Sequence, residues 1–166
     1  MVIRLLLTGG TFDKKYNEIT QRLELDKSHI DDMLKASRYS GEIKVTTVFL
    51  KDSLDITVYD RRQITDACRD SEEHHIVITH GTSTMAETAL MIQKENLTDK
   101  VIVLTGSIMP YILGTASDAM FNLGNAIAYV QVLKPGVYIA MNGHYFEADK
   151  AQKDKTTGRF VAKDSD

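Results

Sequence analysis

The sequence has one cysteine, two prolines and no tryptophan. With Cys68 alone no intramolecular disulfide can form, which is compatible with a reducing compartment. No apolar run reaches the roughly 18 residues of a membrane-spanning helix. The apolar stretch at residues 1–7 is interrupted by Arg4 and is too short for the core of a signal peptide. We therefore expect a cytoplasmic protein without a membrane partner.

Charge and composition narrow the function further. Acidic and basic residues are interleaved at a net charge of -3, without the basic stripe of a nucleic-acid-binding protein. A hydrophobic fraction of 43% and a charged fraction of 26% are typical of a globular domain. The 166 residues fit one domain that can bury a core without disulfides or metals.

Five short apolar runs predict β-strands, and helical patterns lie between them. Nearly continuous β-branched and leucine-rich runs are typical of strands buried on both faces of a sheet. The predicted strands are residues 3–8, 44–50, 75–79, 101–105 and 136–141, and the predicted helices are 26–38, 60–71, 83–96 and 116–133. The alternation predicts an α/β three-layer sandwich with a mainly parallel sheet, forming one domain over residues 1–166. A short hairpin or loop is expected from residue 147 onward.

Glycine and hydroxyl residues gather directly after the predicted strands. These segments read TGGT at 8–11, KDS at 51–53, HGTST at 80–84, GS at 106–107 and NGH at 142–144. Parallel sheets bind ligands beyond the carboxyl ends of their strands, so the sequence predicts a site at this edge.

Common nucleotide and hydrolase motifs do not explain these segments. A Gly-Gly pair alone is consistent with a tight strand exit, and Lys14 does not complete a phosphate-binding loop. Thr82 or Ser83 can serve as a helix cap, although three hydroxyls exceed what capping needs. The sequence has no Gly-x-Ser-x-Gly segment, so a serine hydrolase is not indicated.

The histidines do not predict a metal site. They lack the spacing of helical ligand pairs and have no cysteine near them. Surface or hydrogen-bonded roles are favoured for His74, His75, His80 and His144.

Four segments, in order, resemble the bacterial-type L-asparaginase/glutaminase family. They are TGGT at 8–11, HGTxTM at 80–85, TGSxxP at 105–110 and SDAMFNL at 117–123, and the resemblance runs from residue 4 to about 155. It covers only the amino-terminal catalytic domain, as in the short-chain form of the family. The resemblance implies a flavodoxin-like core and hydrolysis of L-asparagine to L-aspartate and ammonia. It further implies a homodimer or homotetramer that needs neither a metal nor an organic cofactor.

The resemblance also implies four catalytic residues. Thr11 corresponds to the threonine nucleophile, and Tyr16, on the loop after it, corresponds to the tyrosine that activates that nucleophile. Thr82 corresponds to a second catalytic threonine and Lys153 to the lysine that pairs with it. A threonine hydroxyl needs an adjacent base, and a partly desolvated lysine can shuttle its proton.

Substrate contacts are implied at four further positions. Gly10 lies beside the nucleophile, Ser53 matches the serine that grips the substrate α-carboxylate, and Ser107 lies where a residue touches the leaving amide. Ser83 stands where the family has an aspartate that holds the α-ammonium.

The serine at position 83 leaves three interpretations open. Another carboxylate substitutes for the aspartate, the substrate lacks a free amine, or turnover is weakened. The function alternatives are therefore an asparaginase, an amidase acting on another amide, and an asparagine-binding module without turnover.

Overall fold

Ten strands and four α-helices form within residues 1–163, which are the residues that the computed structural model describes. The strands are β1 Val2–Gly9, β2 Lys14–Asn17, β3 Arg22–Leu25, β4 Glu42–Lys51, β5 His75–Thr79, β6 Val101–Thr105, β7 Gly136–Met141, β8 His144–Glu147, β9 Ala151–Lys153 and β10 Phe160–Ala162. The helices are α1 Ile30–Ala36, α2 Val58–Asp70, α3 Met85–Lys94 and α4 Ala119–Val130.

The central sheet has six strands in the order β4-β1-β5-β6-β7-β8. The first five are parallel, and β8 runs antiparallel to β7. All five predicted strands form, and β5, β6 and β7 have the predicted bounds. The predicted strand at 44–50, which is less apolar than the others, is part of β4 at the sheet edge. Its side chains there are exposed or half-buried.

Two helices cover each face of the sheet. On one face, α2 and α3 pack side chains such as Ile64 and Met85 against Leu6 and Ile78. On the other face, α1 and α4 pack side chains such as Met33 and Leu123 against the sheet. The predicted three-layer α/β fold with a mainly parallel sheet is thereby confirmed. The alanine-rich helix α4 buries its apolar face in the core.

Three helices begin later than the sequence predicted, of which α3 differs by only two residues and starts at Met85. The first starts at Ile30 rather than at residue 26 because the Asp26 and His29 amides donate to the backbone and the side chain of Asp13. The last starts at Ala119 rather than at residue 116 because Gly114, at a φ of 58°, breaks the preceding turn. Within residues 1–163 the helices are all too short or too polar to cross a bilayer.

Antiparallel pairs account for the strands that the sequence analysis missed. The loop after Thr11 forms the hairpin β2–β3, whose polar strands carry no apolar run. After β7, Asn142 (φ 54°) and Gly143 (φ 84°) turn the chain back as β8. The hairpin expected near the end of the chain forms as β9–β10 and carries Lys153.

Candidate active site

Two glycines bring the chain segments after β1 and β5 into backbone contact. Gly10 has a φ of 85°, in the left-handed region that favours glycine. A Cβ atom built on Gly10 would lie 2.5 Å from both the nitrogen and the Cα of Gly81. Because neither position has room for a side chain, Thr11 and Thr82 each follow a glycine at a point where the two segments touch.

A third segment packs on the same point. A Cβ atom on Gly81 would lie 2.7 Å from the Ser53 hydroxyl oxygen, so Ser53 covers the other side of this glycine. The Ser53 side chain is only 3% exposed, and its backbone oxygen accepts a hydrogen bond of 2.7 Å from the Thr84 hydroxyl. The structure therefore gathers Gly10, Ser53 and the residues beside Thr82 at one edge of the sheet.

Lys153 reaches this edge from the β9–β10 hairpin. Its Nζ atom lies 2.8 Å from the Thr82 Oγ1 atom, to which it donates a hydrogen bond. Partial burial lowers the pKa of Lys153 below its usual value, because desolvation disfavours the ammonium form. A lowered pKa makes the neutral amine, which can accept a proton from the hydroxyl, more accessible.

Thr82, Ser83 and Lys153 share a cavity of about 540 Å³ between α3 and the β9–β10 hairpin. Neither Thr11 nor Ser53 lines this cavity, so it contains only part of the predicted site. The Ser83 side chain is exposed there.

The carboxylates that line this cavity are already engaged. Glu87 forms a 2.7 Å ion pair with Arg61. Asp154 accepts hydrogen bonds from Thr156 and Thr157, which lower its pKa to about 2. Neither carboxylate is free to take the place of the aspartate that Ser83 replaces.

More distant acids are engaged as well. Asp52 pairs with Lys14, and this contact is the main reason its pKa lies below the usual value. Asp118 accepts from the amides of Ile108 and Met109 and from the Asn122 side chain. Glu147 pairs with Lys150.

The remaining predicted site residues are Thr11, Tyr16 and Ser107. Thr11 begins a 3₁₀ turn, Thr11–Asp13, and is half-buried. Tyr16 lies on β2 opposite Leu23, is 52% exposed and makes no hydrogen bond to Thr11 within the described chain. Ser107 is 1% exposed, and its hydroxyl has no hydrogen-bond partner among residues 1–163. This geometry does not bring Tyr16 into the cluster.

His80, for which the sequence favoured a surface or hydrogen-bonded role, is the hydrogen-bonded kind and is buried. His80 is 1% exposed, and burial lowers its pKa to about 4, so the ring is neutral at neutral pH. Its ring nitrogens contact the Gly81 carbonyl oxygen at 2.8 Å and the Thr88 hydroxyl at 2.9 Å. Its position directly after a buried strand was the signal available in the sequence. The part of the chain that the structure describes contains no group of three or more potential metal ligands.

Comparison with known proteins gives matches to asparaginases. The family model "Asparaginase, N-terminal" matches residues 2–162. A glutaminase-asparaginase of Acinetobacter glutaminasificans is 37% identical over 95 residues, covering 55% of this chain and 28% of that protein. An L-asparaginase of Thermococcus kodakarensis is 32% identical over 147 residues, covering 84% and 44% of the two chains.

Solved structures give the same result. The thermostable L-asparaginase from Thermococcus kodakarensis superposes with a TM-score of 0.84 at 28% identity, over 98% of this chain and 51% of that one. The probable cytoplasmic L-asparaginase from Campylobacter jejuni gives a TM-score of 0.79 at 27% identity, over 97% and 51%. The chain thus spans about half the length, or less, of these proteins.

Proposed function

Because the chain belongs to the asparaginase family, whose N-terminal domain model matches residues 2–162, we propose that it hydrolyses L-asparagine to L-aspartate and ammonia. The observation that carries this proposal is the 2.8 Å contact between Lys153 Nζ and Thr82 Oγ1. A lysine with a lowered pKa beside a hydroxyl forms a proton-transfer pair, and a pair of this kind is what a hydroxyl nucleophile requires.

The proposed reaction has two steps. In the first, the Thr11 oxygen bonds to the amide carbon and its proton passes to a base. The C–N bond then breaks, and ammonia leaves after taking up a proton. In the second, water attacks the resulting ester, which releases aspartate and restores the Thr11 hydroxyl. Thr82 and Lys153 supply the base in this scheme, and Tyr16 is the alternative activator if the β2–β3 hairpin moves it toward Thr11.

Three residues would hold the substrate. We assign the α-carboxylate to Ser53, which lies beside the Gly10–Gly81 contact. We assign the leaving amide to Ser107, whose buried hydroxyl has an open hydrogen-bonding capacity within the described chain. We assign Gly10 a place beside the substrate because it precedes Thr11 and, lacking a side chain, packs directly against Gly81. The scheme uses no metal and no organic cofactor.

A second candidate is an amidase whose substrate carries no free ammonium group. The observation that favours it is the exposed Ser83 together with the engaged state of Glu87 and Asp154, the acids that line the same cavity. A substrate ammonium would meet hydroxyls and Lys153 there, and the two described acids that line the cavity are already engaged. An amide that keeps the carboxylate but lacks the ammonium avoids this mismatch.

We further propose that residues 1–166 act as one catalytic domain, in the cytoplasm, within a homodimer or homotetramer. The single cysteine, Cys68, is buried and supports a location in which disulfides are not needed.

Ammonia release by the purified chain tests these proposals. The substrates are asparagine, glutamine, and deaminated and N-acylated analogues of asparagine, with the Thr11→Ala variant as the control for contaminating activity. Release from asparagine supports the first candidate, and release only from the analogues supports the second. Binding of asparagine in calorimetry with no release from any amide would identify a binding module instead.

A further inference from the structure

His80 is held at three points where β5 leaves the sheet. Its backbone amide donates a 2.8 Å hydrogen bond to the Thr105 carbonyl at the end of β6. Its ring contacts the Gly81 carbonyl on one side and the Thr88 hydroxyl, on α3, on the other. His80 therefore connects the neighbouring strand through its backbone amide, and the turn that carries Thr82 to the following helix through its ring.

The hydrogen-bond partners of the His80 ring determine which of its nitrogens carries the proton. A carbonyl oxygen can only accept, so the Nδ1 atom that contacts Gly81 must donate. In a neutral imidazole the Nε2 atom then bears a lone pair and must accept, so the Thr88 hydroxyl donates to it. The lowered pKa of His80, caused by burial, is consistent with a neutral ring. The Gly81 carbonyl thus selects the Nδ1–H tautomer, and the Thr88 hydroxyl is compatible with it because it can donate to Nε2.

The bond to Gly81 also orients the next amide. The peptide between Gly81 and Thr82 is planar and trans, so its carbonyl and its N–H point in opposite directions. Because the carbonyl points inward to His80, the Thr82 N–H points away from the imidazole. This N–H has no hydrogen-bond partner among the described residues. A free backbone donor beside the two glycines can bind a substrate oxygen on which negative charge resides or develops.

We propose that His80 is a positioning residue: its Nδ1–H holds the Gly81 carbonyl inward, with Nε2 bound by the Thr88 hydroxyl, and thereby keeps the Thr82 N–H available to the substrate. The effect on turnover rests on the amidohydrolase activity proposed above. The tautomer and the orientation of the peptide do not depend on that activity.

Nitrogen-15 NMR of the histidine rings tests the tautomer directly. The His80 resonances are assigned by their disappearance in His80→Asn. We expect the Nδ1–H form in the wild type and in Thr88→Ser, which keeps the hydroxyl. In Thr88→Val, which removes the hydroxyl at nearly constant shape, we expect the Nδ1–H form to persist because the Gly81 carbonyl still requires a donor, while the Nε2 resonance shifts because it has lost its hydrogen-bond donor. A wild-type ring in the Nε2–H or charged form, or an Nε2–H ring in Thr88→Val, overturns the proposal whether or not the protein hydrolyses amides.

Kinetics on the best amide substrate tests the consequence. His80→Asn retains a donor near the Nδ1 position, whereas His80→Gln places its amide near the Nε2 position. We expect kcat to fall at least tenfold in His80→Gln, with KM changed less than twofold, and to stay within threefold of the wild type in His80→Asn. Thermal unfolding of both variants measures the stability that each loses to the cavity left by the smaller or displaced side chain. Equal losses of kcat in the two variants, or losses that follow their stability, would assign His80 a purely structural role.

Discussion

Replacing Ser83 by aspartate would put a carboxylate at the start of α3, in the cavity that Thr82 and Lys153 also line. The acids there, Glu87 and Asp154, are engaged by Arg61 and by two threonines, so the new carboxylate would be the uncommitted one among the described lining residues. It could accept hydrogen bonds from a substrate ammonium and from the Lys153 amine.

The size of the effect follows from the exposure of position 83. A hydrogen bond to a charged group contributes about 1.5–3 kcal/mol. Ser83 is exposed, and solvent screening favours the lower end of that range. We therefore expect kcat/KM for asparagine to rise about tenfold, since about 1.4 kcal/mol corresponds to one factor of ten. An acid before the first turn of a helix is also compatible with the helix dipole, so stability should not fall.

The pH profile provides a second measure of the same change. The unprotonated amine of Lys153 is the form that accepts a proton, so activity should rise as pH increases through its pKa. A nearby carboxylate favours the ammonium form and raises this pKa. The rising limb of the activity profile in Ser83→Asp should accordingly move to higher pH than in the wild type.

Steady-state kinetics with asparagine at several pH values would measure both effects. Ser83→Asn is the matched control, because it has nearly the shape of aspartate without the charge. An unchanged or lower kcat/KM in Ser83→Asp, or an equal gain in Ser83→Asn, would refute the reasoning. Either result would mean that the ammonium is held elsewhere or that the true substrate has none.

Three further predictions concern the catalytic residues and the assembly. Thr11→Ala should abolish ammonia release while thermal unfolding stays near that of the wild type, because the residue is only half-buried; near-normal turnover would remove Thr11 from the mechanism. Lys153→Met should lower kcat by about a hundredfold or more, and adding Thr82→Val should cost little further, since residues acting as a unit are not additive; fully additive losses would contradict the pair. Light scattering at micromolar concentration should give the mass of a homodimer or homotetramer, and a monomer would show that prediction to be wrong.

Strands β5, β6 and β7 could be predicted to the residue, and β1 to within one residue at each end, because their burial leaves a continuous apolar signal. Strand β4 was recognised only in part because it lies at the sheet edge, where Lys44 and Thr46 are exposed. The hairpin β2–β3 could not be predicted. Its strands are polar and short. They are supported by ion pairs such as Lys15–Asp26, and such pairs leave no apolar pattern in the sequence.

The candidate site was predictable to a similar extent. The strand-exit pattern indicated the edge of the sheet, and the family resemblance paired Thr82 with Lys153, two residues 71 positions apart. No periodicity in the sequence predicts such a contact. The role of His80 depends on its burial and on the contact of its ring with Thr88 on α3. Both are visible only in the packed structure.

The contact between Gly10 and Gly81 has a mechanical consequence. Side chains can change rotamer to absorb a displacement, but two touching backbones cannot, so a shift of the segment after β1 must move the segment after β5 with it. The separation of Thr11 and Thr82 is therefore set by the thickness of the polypeptide backbone. It should change little with temperature or with substitutions in the surrounding core, whereas a single methyl group at Gly10 would push the two threonines apart.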